Sequence, residues 1–329
     1  MDHAEYSTRP FEDRDYESLA RINGRVEPRL PITPEEFRHW HRTLTSDPGR
    51  VSVRLVVEER RGGAVVAIGH LNHTSYNFDP QKFYLDVTVD PDFEGRGIGT
   101  DLYARLEADA VARHAVCLWS GANVDRPRAM RFLERHGFVE LRRTWMSKLD
   151  LGSVDISRFP DRSERLARDG VRITTIAAEG AERPEVRDRL YRLIQAAAAD
   201  VPRLGEYTPV SFEEFVSQEL EGPAALLDGI FVAEERGEYV GMTSLERILA
   251  SPDTIRVGFT GTRLEARGRG IASELKRRAV LYARDHGFRT LSTFNDSLNR
   301  PIWAINEKLG FHQEITWTQS EKPMTASTT

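Results

Sequence analysis

Two stretches decide the reading of this chain: Glu94-Gly95-Arg96-Gly97-Ile98-Gly99 and Arg267-Gly268-Arg269-Gly270-Ile271-Ala272. They match at an offset of 173 residues, and His136-Gly137-Phe138 and Leu309-Gly310-Phe311 match at the same offset. Glu27-Pro28-Arg29-Leu30 and Val201-Pro202-Arg203-Leu204 form a third pair, offset by 174, and Glu35-Glu36-Phe37 and Glu213-Glu214-Phe215 follow in order. Matched landmarks in one order mark a duplicated domain. The 329 residues suit two domains at roughly 150 residues each. The expected division is 1–150 for the first domain, 151–170 for a linker and 171–329 for the second. Asp155 to Asp169 is polar, contains Pro160 and closes on Asp169-Gly170, a turn signal. The tail from Ser320 reads as frayed.

Hydrophobic periodicity gives both halves one plan. Residues 13–23 and 185–199 have apolar positions at helical spacing. Strands are expected over 51–58 and 64–73, and over 229–235 and 239–245, joined by the turns Arg61-Gly62-Gly63 and Arg236-Gly237-Glu238. A further strand, 83–89 or 254–262, runs into each glycine stretch. A helix follows, with Ile98, Leu102, Leu106 and Ala110 on one stripe in the first half and Ile271, Leu275 and Ala279 in the second. A meander leading into a strand–helix–strand unit makes each half an α+β domain, a mixed, mostly antiparallel sheet flanked by helices.

Composition narrows the function. Lys+Arg 46 against Asp+Glu 51 gives a net charge of −5, which argues against a nucleic-acid partner. No apolar run approaches the roughly 20 residues that span a bilayer, and the acidic N-terminus does not resemble a secretion signal. The single cysteine, Cys117, sits in an apolar strand and leaves no internal disulfide. A soluble cytoplasmic protein is expected. His39-Trp40-His41 and His70-Leu71-Asn72-His73 have spacings that turn neighbouring rings to different sides, so no metal site is expected.

A glycine-rich turn between a strand and a helix lets backbone N–H groups approach a phosphate, and the helix N-terminus adds partial positive charge. At these residues the chain resembles the GNAT superfamily of acyl-CoA-dependent N-acyltransferases, whose cofactor loop reads [Q/R]-x-x-G-x-[G/A]. Arg267 to Ala272 satisfies every position, whereas Glu94 departs from the first position of the other copy. Asn295 to Asn299 and Asn306 to Phe311 resemble the family's second cofactor-side motif. The tandem arrangement is similar to that of mycothiol synthase.

The resemblance implies acetyl-CoA as cofactor. It would be held by Arg267, Gly268, Arg269, Gly270, Ile271, Ala272, Ser273, Asn299 and Asn306, and by backbone N–H groups near Thr260 and Thr262. Gly95, Arg96, Gly97, Ile98, Gly99, Thr100, Val87 and Val89 are the first-half equivalents. The family's proton-donating tyrosine falls on Leu133 and Asn306, and its base register on Phe83 and Arg256. Asn306 is the candidate donor to the leaving sulfur, and Glu246, or Asp86 in the first half, the candidate base. Arg203 and Tyr207 are candidate substrate residues. The expected activity is transfer of acetyl to a primary amine of a small molecule, with chemistry in the second domain. A protein lysine or N-terminal acetyltransferase, and a non-catalytic acyl-CoA-binding protein, are the alternatives. The oligomeric state is left open.

Overall fold

The computed structural model describes residues 1–2 and 4–324. Its strands are β1 (Tyr6–Pro10), β2 (Ser52–Glu59), β3 (Val65–Asn72), β4 (Lys82–Val89), β5 (Cys117–Ser120), β6 (Val139–Asp150), β7 (Val171–Thr175), β8 (Ile230–Glu235), β9 (Glu238–Arg247), β10 (Thr254–Thr262), β11 (Thr290–Asp296) and β12 (His312–Pro323). The helices that matter here are α1 (Tyr16–Val26), α2 (Pro34–Leu44), α3 (Ile98–Ala112), α4 (Pro127–Arg135), α5 (Ser163–Arg168), α6 (Pro184–Ala198), α7 (Ile271–Asp285) and α8 (Arg300–Lys308). Among the described residues no helix is long and apolar enough to cross a membrane.

The chain forms two compact units that exchange their last strands. The first comprises Met1–Leu141, Leu204–Thr208 and Trp317–Thr329, and the second Arg142–Arg203 and Pro209–Thr316. The first sheet runs β1-β2-β3-β4-β5 and is completed by the end of the chain, with Ser320 paired to Ser120 and Pro323 to Cys117. The second runs β7-β8-β9-β10-β11 and is completed by β6, which ends the first repeat and pairs Asp150 with Thr290. Within each sheet only β4/β5 and β10/β11 are parallel. Residues 151–170 hold a short turn and α5 and lie within the second unit. Ser320 to Pro323, expected to fray, is held by the β5 ladder, and the Met324 N–H donates to the Val116 carbonyl. The rest of that tail, Thr325 to Thr329, lies outside the described residues.

In the first unit, helices cover both faces of the sheet because alternate strand residues are apolar on each side. Val56 and Ile68 pack with Ile22 of α1. Leu71, Leu85 and Leu106 of α3 pack on the other face, with Val57, Ala67, Ile98 and Leu102 beside them. An added Cβ at Gly69 would come within 2.7 Å of Leu106, so glycine is what lets α3 seat there. In the second unit, Ile271, Leu275 and Ala279 of α7 pack on Leu245, Ile255 and Val257, and α6 lies on the other face, where Gly261 approaches Ala197. α2 begins at Thr33, whose side chain accepts the Glu36 N–H while the Glu36 carboxylate accepts the Thr33 N–H.

The exchanged strand is seated tightly. An added Cβ at Gly121 would strike the Thr318 carbonyl oxygen, which is backbone and cannot swing aside. Gly121→Ala should therefore destabilise the first unit by about 1–3 kcal/mol, in the range of overpacking changes. A thermal unfolding midpoint equal to that of the parent chain would show that β12 is not seated this closely.

Candidate active site

The two parallel ladders stop early. β4 pairs with β5 only as far as Tyr84 and Trp119, and β10 with β11 only as far as Val257 and Thr293. Strand alternation then decides which groups face the opening. The Asp90 N–H donates to Val66 of β3 and the Gln81 carbonyl accepts from Val116, so odd-numbered residues of β4 present their backbone toward β5. Val87 and Val89 thus turn their N–H groups to that side beyond the end of the ladder. In β10 the Arg263 N–H donates to Val240 of β9, which turns Thr260 and Thr262 toward the β11 side in the same way.

The two units differ just upstream. β4 pairs with β3 in unbroken register from Tyr84 to Val89, whereas β10 shifts register against β9 between Val257 and Thr260. One extra residue is accommodated at Gly258-Phe259, a β-bulge of the sort that re-aims side chains beside sites. The Phe259 N–H, displaced from the ladder, donates to Ser244 Oγ at 2.9 Å, and Thr243 and Thr260 hydroxyls meet at 2.7 Å. The bulge also moves the correspondence between halves. Arg256 faces Glu246 across the strands, as Tyr84 faces Asn72, so the first-unit counterpart of Arg256 is Tyr84 and not Phe83.

Glu246 lies over the bulge, and a Cβ at Gly258 would collide with its carboxylate. Arg256 Nη2 donates to Glu246 Oε2 at 2.8 Å. A second carboxyl stands close enough to feel this charge: Glu219, in a single π-helical turn over Val216–Leu220. Burial, and then the negative charge of Glu246, push the Glu219 carboxyl up to about 7. Glu219 carries no sequence signal, because neither helical spacing nor a motif marks it; π-turns of this kind recur at functional sites.

Each glycine loop adopts the geometry that only glycine takes readily. Gly95, Gly97, Gly268 and Gly270 have φ of 84°, 78°, 76° and 81°, and Gly97 and Gly270 are the N-cap residues of α3 and α7. The space above Gly268 is open, with nothing within 4 Å of an added Cβ. Arg162 and Arg165 of the segment around α5 come within 3.0 and 3.1 Å of the Cβ position at Gly270, so the second loop has two cationic side chains at its edge. A diphosphate group fits this cradle: positive-φ glycines, a helix N-terminus and flanking guanidinium groups. Arg269 is paired with Glu235 at 3.0 Å and Arg267 with Asp200 at 2.7 Å. In the first loop Glu94 is neutralised by Arg126 at 2.6 Å and Arg128 at 3.1 Å, and Arg96 donates to the Tyr6 hydroxyl.

The remaining candidates are dispersed. Asn306 of α8 is wholly buried, and its amide donates to Asn295 Oδ1 at 2.6 Å while Asn295 donates to Ser147 Oγ at 2.9 Å. Ile271 is buried, Ala272, Ser273 and Asn299 are half-buried, and Ile98, Gly99 and Thr100 open α3. Arg203 turns its guanidinium back on the Val201 and Ala198 carbonyls. Tyr207 lies in the 204–208 segment of the first unit, where the Thr208 N–H donates to Tyr76. Among the described residues no three His, Cys, Asp or Glu side chains are grouped to hold a metal ion.

The family model for the acetyltransferase (GNAT) family matches residues 12–138 and again 190–311. The chain belongs to the GNAT acetyltransferase family. It is similar to the mycothiol acetyltransferase of Amycolatopsis mediterranei, 28% identical over 264 residues that cover 78% of this chain and 80% of that one. The mycothiol acetyltransferase of Rhodococcus erythropolis is 26% identical, covering 80% and 82%. Among solved structures, a tandem GNAT protein from the clavulanic acid biosynthesis pathway superposes with a TM-score of 0.73 at 20% identity, covering 97% and 98%. A GCN5-related N-acetyltransferase from Sphaerobacter thermophilus gives 0.67 at 21%, covering 97% and 95%. The fold is thus that of two tandem GNAT domains, and the chain is an acyl-CoA-dependent acetyltransferase.

The electrostatics of the bulge generate a prediction. Carboxyl-detected NMR should show Glu219 titrating near 7, and Glu246→Gln should move that midpoint down, because a like charge that penalises ionisation has gone. A midpoint that Glu246→Gln leaves in place would mean the two carboxyls do not interact.

Proposed function

We propose that this acetyltransferase moves acetyl from acetyl-CoA to a primary amine of a small molecule, with the chemistry in the second unit. The observation that carries the reading is the bulge in β10. It sets Glu246 and Arg256 beside the open Thr260 and Thr262 backbone, above a loop that meets the family pattern at every position, and β4 of the first unit has no such break. The small-molecule acceptor is supported by the relatives, which are named mycothiol acetyltransferases.

When bound, acetyl-CoA supplies a thioester whose acyl carbon is open to an amine. Gly268 to Ser273 would hold its diphosphate through backbone N–H groups, with Arg162 and Arg165 adding charge at the loop edge. The Thr260 and Thr262 N–H groups, which strand pairing leaves unused, would orient the acyl carbonyl and the pantetheine arm. An attacking amine must lose a proton, and a base works best when its pKa lies near the working pH. Glu219 meets that requirement, so we assign it the proton and give Glu246, fixed by Arg256, the role of keeping it basic. Asn306 positions the site through Asn295; its burial leaves it no open face toward a leaving sulfur. In the first unit Glu94, though paired, keeps a carboxylate at the loop.

Acetyl-CoA turnover over a panel of small amines tests the reading. Gly270→Asp should abolish turnover, since a side chain at φ 81° is strained and its carboxylate would occupy Arg162 and Arg165. Gly97→Asp should leave turnover largely intact. The reverse pattern would move the chemistry to the first unit, and cofactor binding without release of free CoA would make the protein a sensor.

Glu219→Gln should lower kcat by about 10²- to 10⁴-fold and remove the acid limb near pH 7 from the kcat/KM profile. An unchanged profile would exclude Glu219 as the base.

A further inference from the structure

The bulge in β10 changes which residues face which helix. Before it, Leu245 and Val257 pack on α7, so Glu246 and Arg256, which alternate with them, face the other way. Beyond it, an added Cβ at Gly261 would come within 2.9 Å of Ala197 of α6. The inserted residue thus brings Phe259 and Gly261 onto the same face of the sheet as Glu246 and Arg256. Ser244, two residues before Glu246 on β9, accepts the Phe259 N–H on that face.

Phe259 lays its ring along the strand. Its Cε1 and Cζ are each 2.7 Å from the Cβ position at Gly261, so the ring covers the Gly261 backbone and glycine is what makes room for it. Thr260 and Thr262, on either side of Gly261, are the residues with the unused N–H groups. At the other end Phe259 follows Gly258, over which the Glu246 carboxylate lies. The ring is half-buried and, among the described residues, has no aromatic or cationic partner. The first unit has neither feature. Its β4 has no inserted residue, and Thr88 stands at the position of Gly261, since each lies one residue before the last pair with the neighbouring strand. A glycine within a strand weakens it, and a half-exposed aromatic ring forgoes part of its burial. Together they keep a flat apolar face beside the carboxyl pair.

We propose that Phe259 selects the acceptor of the second unit, and that the acceptor is a primary amine carried on, or one carbon from, a six-membered ring whose flat face lies on Phe259. This rests on the reading that the second unit carries the acetyl transfer. An amine held at Glu219 and next to the acyl carbonyl has its carbon substituent on the adjoining strand surface, where the Phe259 ring lies. A rigid ring covers an aromatic face with few rotatable bonds to immobilise, whereas an open chain loses more freedom for the same contact. A second ammonium gains little, because Arg256 already takes the Glu246 charge at 2.8 Å.

The test uses the intact chain with acetyl-CoA and three probes: cyclohexylmethylamine, ethylamine and 1,3-diaminopropane. The ring amine should exceed ethylamine in kcat/KM by about tenfold or more, mainly through KM. Phe259→Ala should remove most of that margin, and Phe259→Leu should keep part of it. Gly261→Ala, which presses on the ring from beneath and leaves Phe259 itself unaltered, should also shrink it. The acid limb of the kcat/KM profile should stay in place in Phe259→Ala, whereas a collapse of the bulge would move it, since Glu246 would no longer lie beside Glu219. Calorimetric binding of cyclohexylmethylamine reads the same contact without turnover. Binding that Phe259→Ala weakens, in a chain that transfers no acetyl group, would sink the catalytic reading and leave this contact standing. Equal kcat/KM and equal affinity for the ring amine and ethylamine, a margin that survives Phe259→Ala, a preference for the diamine, or no binding of the ring amine would overturn the proposal.

Discussion

Everything in each unit depends on one pair of parallel strands that parts after a few residues. A parallel ladder that ran to the end of β10 would consume the N–H groups of Thr260 and Thr262 and leave the glycine loop with no adjacent opening. The parting is enforced from both flanks. β10 is held by β9 on one side, and β11 is held along its whole length by β6, from Thr290 paired with Asp150 to Asp296 paired with Thr144. Arg142 closes this edge with an ion pair to Asp296 at 2.7 Å. Since the flanking strands are tied into their own ladders, the unused donors are available to a ligand at little cost in reorganisation.

Much of this was legible in the sequence. The glycine loops, the duplication and the strand over 254–262 follow from spacing and periodicity, because those signals are local. The strand exchange was not, since periodicity gives an element's type and not its partner. The β-bulge was also hidden. A single extra residue changes no pattern of apolar residues, yet it reversed the side on which Arg256 lies relative to Phe83. Candidate residues chosen by a fixed offset from the loop therefore shift by one upstream of the bulge. Glu219 was invisible for a related reason: its chemistry comes from burial and from Glu246, a neighbour distant in the sequence. Asn306 was picked by its place in a motif, and only packing revealed that Asn295 occupies its amide.

The arginine-rich composition takes on meaning from the ion pairs. Lys makes up five of the 46 basic residues, and most of the arginines described are matched to a nearby carboxylate, including Arg9 with Asp15 at 2.7 Å and Arg21 with Asp90 at 2.6 Å. Exposed pairs of this kind contribute little to stability individually. At the edge of the second glycine loop, Arg165 is shared between the Asp169 carboxylate at 3.6 Å and the Arg269 carbonyl.

The two units therefore illustrate how duplicated scaffolds diverge without changing fold. Both keep the parted strands and the positive-φ glycines, because backbone geometry is what the cradle requires. They differ in the polar row on the opposite face of β4 and β10, which the backbone does not constrain. In the second unit the bulge shifts that row so that Glu246 and Arg256 pair at the opening. In the first the register is unbroken, and Asp86 occupies the stretch where the other strand bulges, with His70 opposite it where the other has Ser244 bonded to the displaced Phe259 N–H. A Ser at that position satisfies a bulge, and a His there does not need one. The identity of one β3 or β9 residue is thus coupled to the path of the next strand, and through it to which side chains meet the ligand.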